Sequence, residues 1–346
     1  MSQSAPGSPP EGIAGEKVSA WFDAHISGAS GPYEFELIAG GHSNLTYRVT
    51  DSRDQEFVLR RPPLGHVLAT AHDMAREHKI IAGVGLTDMP VPRTLGLCED
   101  VEVNDAPFYV MDYVVGDVLH TDEEVDGLSS EHRMAVSRHV VEVLAQLHAI
   151  EPAEVGLGDL GKREDYLARQ FRRWTKQWEA SKTRELPEMD ETQALLASEM
   201  PEQIGASIVH GDYRLGNMIS GEGRILAVLD WELCTLGDRM ADVGYLMNNW
   251  VQPGEPVPST SAPTVAGGFA SREQMLEWYA ADTGLDVSAV DYYRAFSYWR
   301  LAAIVEGVYN RYINGAMGAA EGVDIPGFKT QVEFLADSAL ALLKEA

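Results

Sequence analysis

The chain has 346 residues, 45% of them hydrophobic, enough to bury two cores of ordinary size, so a single small module is excluded. Acidic residues outnumber basic ones 53 to 27, giving a formal charge of -26, a field that repels nucleic acid and anionic bilayers. The same field opposes anionic small molecules, so any cleft for one must gather its own positive charge.

Residues 1–15 are rich in Ser, Pro, Gly and Ala, lack the basic start and apolar core of a signal peptide, and read as a disordered tail. An amphipathic helix through Val18, Trp21, Phe22 and Ile26 comes next, then strands over 34–38, 44–50 and 56–60. The first turn holds Gly40, Gly41, Ser43 and Asn44. Paired glycines let backbone amides approach a ligand phosphate and the Ser and Asn can add donors, although Gly-Gly between strands also makes an ordinary hairpin. On the third strand, alternation sets Val58 and Arg60 on one face and Phe57 and Leu59 on the other, with Arg61 the rival to Arg60. A helix over 71–82 carries Glu77, and Pro90-Val91-Pro92 leads toward a last apolar strand over 108–115. Cys98 and Cys234 are too few for a disulfide framework or a Cys-rich zinc site and read as free thiols in a reducing cytoplasm. No apolar run of about eighteen residues suggests a membrane span.

Beyond this the composition turns helical. Residues 136–150 carry a buried stripe, and 165–181 interleave Phe171, Trp174 and Trp178 with basic residues, as a substrate-facing insertion or ordinary core. The 293–311 segment is aromatic and contains Arg300, Glu306 and Arg311. Between them lies His210-Gly-Asp-Tyr-Arg-Leu-Gly-Asn217, with Leu229-Asp230-Trp231-Glu232 beyond it. Strands over 207–210, 217–220 and 224–229 place a hairpin around Gly221-Glu222-Gly223, so that Asn217 and Asp230 are expected to meet at its open end, with Asp212 leading in. An amide oxygen and a carboxylate suit Mg²⁺ sharing its shell with phosphates, and a further carboxylate can take a proton from an attacking hydroxyl. His210 reads as a core residue that steadies the loop, and Asp238 and Asp242 as capping and loop-tying carboxylates. Glu232 is either a second metal or substrate contact or a solvated side chain.

The five-residue step from Asp212 to Asn217, with Asp230 past the hairpin, resembles the catalytic and metal loops of the protein-kinase-like fold. His-Gly-Asp and Asp-Trp-Glu make it most similar to the aminoglycoside phosphotransferase and choline kinase superfamily. Within that, FVLRRPP, IVHGDYRLGNMI and VLDWELCTLGDRMADVGYLM resemble the kinase-like domain that accompanies certain acyl-CoA dehydrogenases and phosphorylates hydroxyacyl-CoA. The resemblance implies an α+β bilobal protein-kinase-like fold: a small antiparallel β-rich N-lobe over 16–114 for nucleotide, and a larger, mainly helical C-lobe over 115–346 with the catalytic loop and acceptor site. It implies ATP, with GTP an alternative, and Mg²⁺ held by Asn217 and Asp230, with Asp212 as the base. Arg60 stands where kinases carry a lysine and has Glu77 as its partner, while Met111 is the gatekeeper and the Asp112 carbonyl and Val114 amide meet the adenine edge. Arg300 and Arg311 fall where acceptor selectivity resides. The implied activity is phosphoryl transfer to a small-molecule hydroxyl, of a hydroxyacyl-CoA or else an aminoglycoside, amino alcohol or sugar; the contrasting class is an inactive nucleotide-binding scaffold. No nucleic acid or membrane partner is implied.

Overall fold

The computed structural model describes residues 9–39, 44–65, 73–257, 262–315 and 323–345. The chain forms two compact units, one made of residues up to Asp117 together with 155–157 and 226–232, the other of the remainder.

In the first unit helix α1 (Gly15–His25) precedes strands β1 (Glu34–Ala39), β2 (Leu45–Thr50) and β3 (Glu56–Arg61), helix α2 (Met74–Val84), strand β4 (Thr94–Cys98), the short helix α3 (Val101–Asn104) and strand β5 (Phe108–Asp112). They build a five-stranded sheet in the order β1-β2-β3-β5-β4, every pairing antiparallel. Period-two alternation sends Tyr47 and Val49 of β2, Phe57 and Leu59 of β3, and Phe108 and Val110 of β5 into one core with Val18, Trp21 and Phe22 of α1. Trp21 meets Phe108 edge-on at 4.9 Å. Gly96 is required here, since a Cβ on it would lie 2.9 Å from the Trp21 ring. The opposite parity puts Val58 and Arg60 on the other face. Arg61 takes the core side, where its guanidinium donates to the carbonyls of Gly12 and Asn104. Residues 9–14 are placed, with Ile13 buried and the Ala14 amide bound to the Asn104 side chain at 2.8 Å. The last strand ends at Asp112, three residues before the 108–115 expected, and Val115 is 75% exposed.

Strand β6 (Asp117–Val118) leads into the second unit, which has helices α4 (Asp122–Val125), α5 (Ser130–Ala149), α6 (Tyr166–Ser181) and α7 (Pro187–Ser198), then strands β7 (Ser207–Val209) and β8 (Met218–Gly221); strand β9 (Arg224–Val228) starts in this unit and its residues 226–228 belong to the first. After β10 (Thr235–Gly237) come α8 (Met240–Asn249), α9 (Arg272–Thr283), α10 (Val290–Ile313) and α11 (Ile325–Glu345). A 3-10 turn over Leu215–Asn217 precedes β8, and the turn into β9 uses positive φ at Glu222 and Gly223. Strand β7 pairs antiparallel with β10, Val209 opposite Thr235. Helix α10 runs through the middle and buries Tyr293, Phe296 and Trp299 against its neighbours. Glu306 on it is fully buried: it accepts from the Thr183 amide at 2.8 Å, the Thr183 hydroxyl at 2.7 Å and Arg184 Nη1 at 2.8 Å, which ties the α6–α7 connection to α10. No described helix is long and apolar enough to cross a membrane.

A buried carboxylate that satisfies three donors is costly to remove, because the donors stay behind without a partner. Glu306→Ala should therefore destabilise the protein by about 3–5 kcal/mol, read as a lowered urea midpoint, whereas Arg311→Ala at the exposed end of α10 should leave the midpoint in place.

Candidate functional site

Arg60 sits on β3, the middle strand of the first unit's sheet, opposite Thr46 and Tyr109, and is 9% exposed. Its Nη2 reaches Asp230 Oδ1 at 2.6 Å and its Nε lies 3.3 Å from Glu77 Oε1. Asp73 caps α2 by accepting the Arg76 amide, which fixes the start of the helix that presents Glu77 one turn in. Burial draws the Arg60 guanidinium down, but the charges of Glu77, Tyr109 and Asp230 outweigh it and hold it above its usual range. Burial lifts the Glu77 carboxyl, against the pull of Arg60. Asn44 Nδ2 lies 3.3 Å from Glu77 Oε2 and 3.5 Å from Glu232 Oε2, and Arg76 Nη1 lies 3.4 Å from the Glu232 carbonyl. Glu232 is thus one of a polar group and not a free solvated side chain. Asp230 adopts φ 64°, an uncommon conformation for a residue with a side chain. Trp231 steadies it, fully buried and donating from Nε1 to the Val228 carbonyl at 3.0 Å.

Gly40, Gly41 and Ser43 lie outside the described residues. Met111 is buried in β5. Asp112 turns its carboxylate to Arg93 at 3.0 and 3.2 Å and spends its amide on the Arg93 carbonyl, while Val114 follows the end of the strand and is half-buried.

The second unit holds the His-Gly-Asp loop. Strand β7 delivers it, and Asp242, in the first turn of α8 and fully buried, accepts the His210 amide at 2.7 Å and the Gly211 amide at 2.8 Å. His148 of α5 stands 3.4 Å from the same carboxylate through Nε2 and 2.7 Å from the Tyr279 hydroxyl through Nδ1. The buried His210 ring closes the loop from inside by taking the Asp212 amide at Nδ1, 3.2 Å away. Asp238 stands one residue before the N-cap position of α8, which is Arg239, yet its carboxylate takes the amide of Met240, the first helical residue, together with the Ile204 amide and the Tyr293 hydroxyl, and burial raises its carboxyl.

Asp212 presents a carboxylate with a side-chain exposure of 19%. Asn217 Nδ2 donates to its Oδ2 at 2.7 Å and to its carbonyl at 2.9 Å; Arg214 Nε approaches Oδ1 at 3.3 Å, and the Tyr245 hydroxyl donates to the same oxygen. Both partners of the Asn217 nitrogen are acceptors, so the amide orientation is fixed and its oxygen is what remains to offer a ligand. Burial, then the Asp212 charge, pushes the Tyr245 phenol up, which keeps it a donor. Arg300 stacks its guanidinium 5.8 Å from the centre of the Tyr245 ring. Arg311 is exposed at the far end of the same helix. Tyr245, Arg214 and the His148–Tyr279 pair were not singled out from sequence. The signal for Tyr245 was there: it follows Asp242 by three residues on a helix, which puts both on the face that meets the loop.

Among the described residues no group of three or more His, Cys, Asp or Glu side chains is arranged to hold a metal ion. A site using one amide and one carboxylate with phosphate oxygens does not require such a group.

Residues 34–278 match the model of the phosphotransferase enzyme family known as APH. The chain is 35% identical over 304 residues to mouse acyl-CoA dehydrogenase family member 10, covering 84% of this chain and 28% of that protein. It is 31% identical over 339 residues to human acyl-CoA dehydrogenase family member 11, covering 95% of this chain and 43% of that protein. The chain therefore spans less than half the length of the curated relatives it matches. Among solved structures, a Ralstonia eutropha JMP134 protein with a provisional designation as an aminoglycoside phosphotransferase superposes with a TM-score of 0.81 at 33% identity, over 96% of this chain and 98% of that one.

Replacing Asp242 by Ala leaves two buried amides without an acceptor, at about 1–3 kcal/mol each. We expect Asp242→Ala to lower the urea midpoint accordingly and to raise protease sensitivity in the 207–217 segment, mapped by limited proteolysis.

Proposed function

The chain belongs to the phosphotransferase enzyme family, and from that premise we propose that it transfers the γ-phosphoryl group of ATP to a hydroxyl of an anionic small molecule, a hydroxyacyl-CoA being the best fit. The observation that carries this reading is the Asp212 carboxylate, oriented on both oxygens by Asn217, Arg214 and Tyr245 in a loop pinned by Asp242. Asp212 accepts the proton of the acceptor hydroxyl as its oxygen attacks phosphorus, and the loop's internal bonding supplies the alignment on which this chemistry depends.

Arg60 is assigned to the nucleotide phosphates. A guanidinium has five donors in a fixed fork, so it can hold Glu77 and Asp230 and retain N–H groups for phosphate oxygens. Asn44 adds a donor beside it, with Gly40, Gly41 and Ser43 assigned to the same phosphates from their sequence. Met111, the Asp112 carbonyl and the Val114 amide are assigned to adenine. The donor chemistry suits Mg²⁺: Asn217 offers an amide oxygen and Asp230 a carboxylate, both hard ligands. When bound, the ion would neutralise phosphate charge.

The acceptor class rests on charge. Arg214 touches the base and Arg300 lies over the ring of the tyrosine that touches it, in a chain whose formal charge is -26. Two guanidiniums maintained at that place favour phosphates or carboxylates over a polycationic aminoglycoside. The relatives are named as acyl-CoA dehydrogenase family members, which supports an acyl-CoA acceptor. Arg311 is assigned to the outer part of such an acceptor, and Glu232 to the polar group around Arg60.

Asp212→Asn should lower kcat by about 10²- to 10⁴-fold, with the KM for ATP within a few-fold of wild type. Coupled ADP release across 3- and 4-hydroxyacyl-CoAs, with kanamycin and choline for comparison, measures both. Turnover of kanamycin or choline with none of the acyl-CoAs would overturn the acceptor assignment, and full activity in the variant would remove Asp212 as the base.

A further inference from the structure

The Asp212 carboxylate is already crowded. Among the described residues it takes the Asn217 amide on Oδ2, and the Tyr245 hydroxyl and Arg214 Nε on Oδ1. A carboxylate offers about four acceptor positions, so an incoming hydroxyl finds most of them engaged. Oδ1 already takes two of these donors and Oδ2 one, so an alcohol that comes to Oδ1 must displace a donor.

Their chemistry decides which. Asn217 is buried, is 7% exposed, and has a second bond to the Asp212 carbonyl, so its departure would strand buried polar groups. Arg214 carries a charge, and its loss would leave the anion less stabilised. Tyr245 is a neutral O–H donor, the same functional group as the alcohol that must arrive. Exchanging one O–H donor for another is close to neutral in free energy, and the partly exposed Tyr245 can swing about χ1 from the fixed backbone of α8. Its ring rests under Arg300, whose attraction in that position is modest.

Resting on the assignment of Asp212 as the base, we propose that Tyr245 caps the base: its hydroxyl occupies the acceptor's place on Oδ1 and gives way to the acceptor alcohol. Water is thereby kept from that place when no acceptor is bound. Without the cap, water takes the position, Asp212 accepts its proton, the water oxygen bonds to the γ-phosphorus, and the bond from phosphorus to the ADP oxygen breaks, releasing ADP and inorganic phosphate. The phenol, held protonated by burial, can serve only as a donor and does not compete as a base. Tyr245 is thus a specificity device that separates alcohol from water.

The test uses the full chain with ATP and Mg²⁺ and no acceptor, measuring inorganic phosphate release by wild type, Tyr245→Phe, and Tyr245→Phe combined with Asp212→Asn. Phenylalanine keeps the ring beneath Arg300, and an unchanged melting temperature checks the fold. We expect Tyr245→Phe to hydrolyse ATP faster by on the order of tenfold, the worth of one hydrogen bond, at an unchanged KM for ATP, and the double variant to fall to or below wild type. Phosphate release by Tyr245→Phe at or below the wild-type rate, while ATP still raises the melting temperature, sinks the cap and leaves the kinase reading standing. Faster release that persists in the double variant also sinks it, since the base would not be involved. Absence of any ATP-induced thermal shift in all three proteins defeats the kinase reading and the cap with it.

Discussion

The second unit is organised around one buried anion. Asp242 takes two successive backbone amides at the turn that carries Asp212, and it does so with no solvent exposure. A carboxylate that accepts short bonds in a dry interior fixes its donors far more tightly than an exposed one, because nothing else nearby can replace it. His148 and Tyr279 extend the arrangement outward to α5 and α9, so three helices converge on the position of two peptide groups. The amide and the carboxylate of Asp212 inherit that rigidity through His210 and Asn217.

The first unit solves a different problem, how to keep a cation in a buried place in an acidic protein. Arg60 is flanked by Glu77 and Asp230, and the planar fork of its guanidinium lets Nε and Nη2 address different carboxylates. A lysine at this place would offer one point of charge and a strongly hydrated head, and would lose more on burial. The arginine, where protein kinases carry a lysine, meets Glu77 and Asp230 at once. Asn44 and Glu232 continue the polar layer from the β2 side.

Much of this was legible where local periodicity governs. The alternation of β3 separates Arg60 from Arg61 because a strand has only two faces, and the apolar face was already marked by Phe57 and Leu59. The loop from His210 to Asn217 was legible because its residues act within a few positions of one another. The pairing of His148 with Tyr279 joins residues 131 apart, and no local pattern announces it. Helix α9 was missed for a related reason: its buried residues are Met275 and Tyr279, too sparse to draw an apolar stripe. The end of β5 was overestimated because Val114 and Val115 continue the β-branched run, whereas pairing with β3 stops at Asp112 and leaves Val115 in solvent. Glu306 lies in a segment whose sequence is aromatic and charged; burial, which sequence does not display, makes it a tie between helices.

Gly211 explains why the loop differs from the His-Arg-Asp of protein kinases. Its φ is +85°, a region that side chains rarely adopt, and a Cβ there would stand 3.0 Å from the Leu233 carbonyl. An arginine at this position would have to break either the conformation or the contact, and both are set by the pair of amides on Asp242. The loop's shape is therefore decided by groups inside its own unit, with no external charge needed to organise it. Under the proposed assignment, an Asp212 carboxylate fixed in this way is ready to act as a base before any acceptor arrives, and such readiness would expose ATP to water. On that proposal, the constraint that makes Asp212 rigid creates the need for a neutral group that can occupy it and leave, and the hydroxyl of Tyr245, one helical turn from Asp242, donates to the same carboxylate.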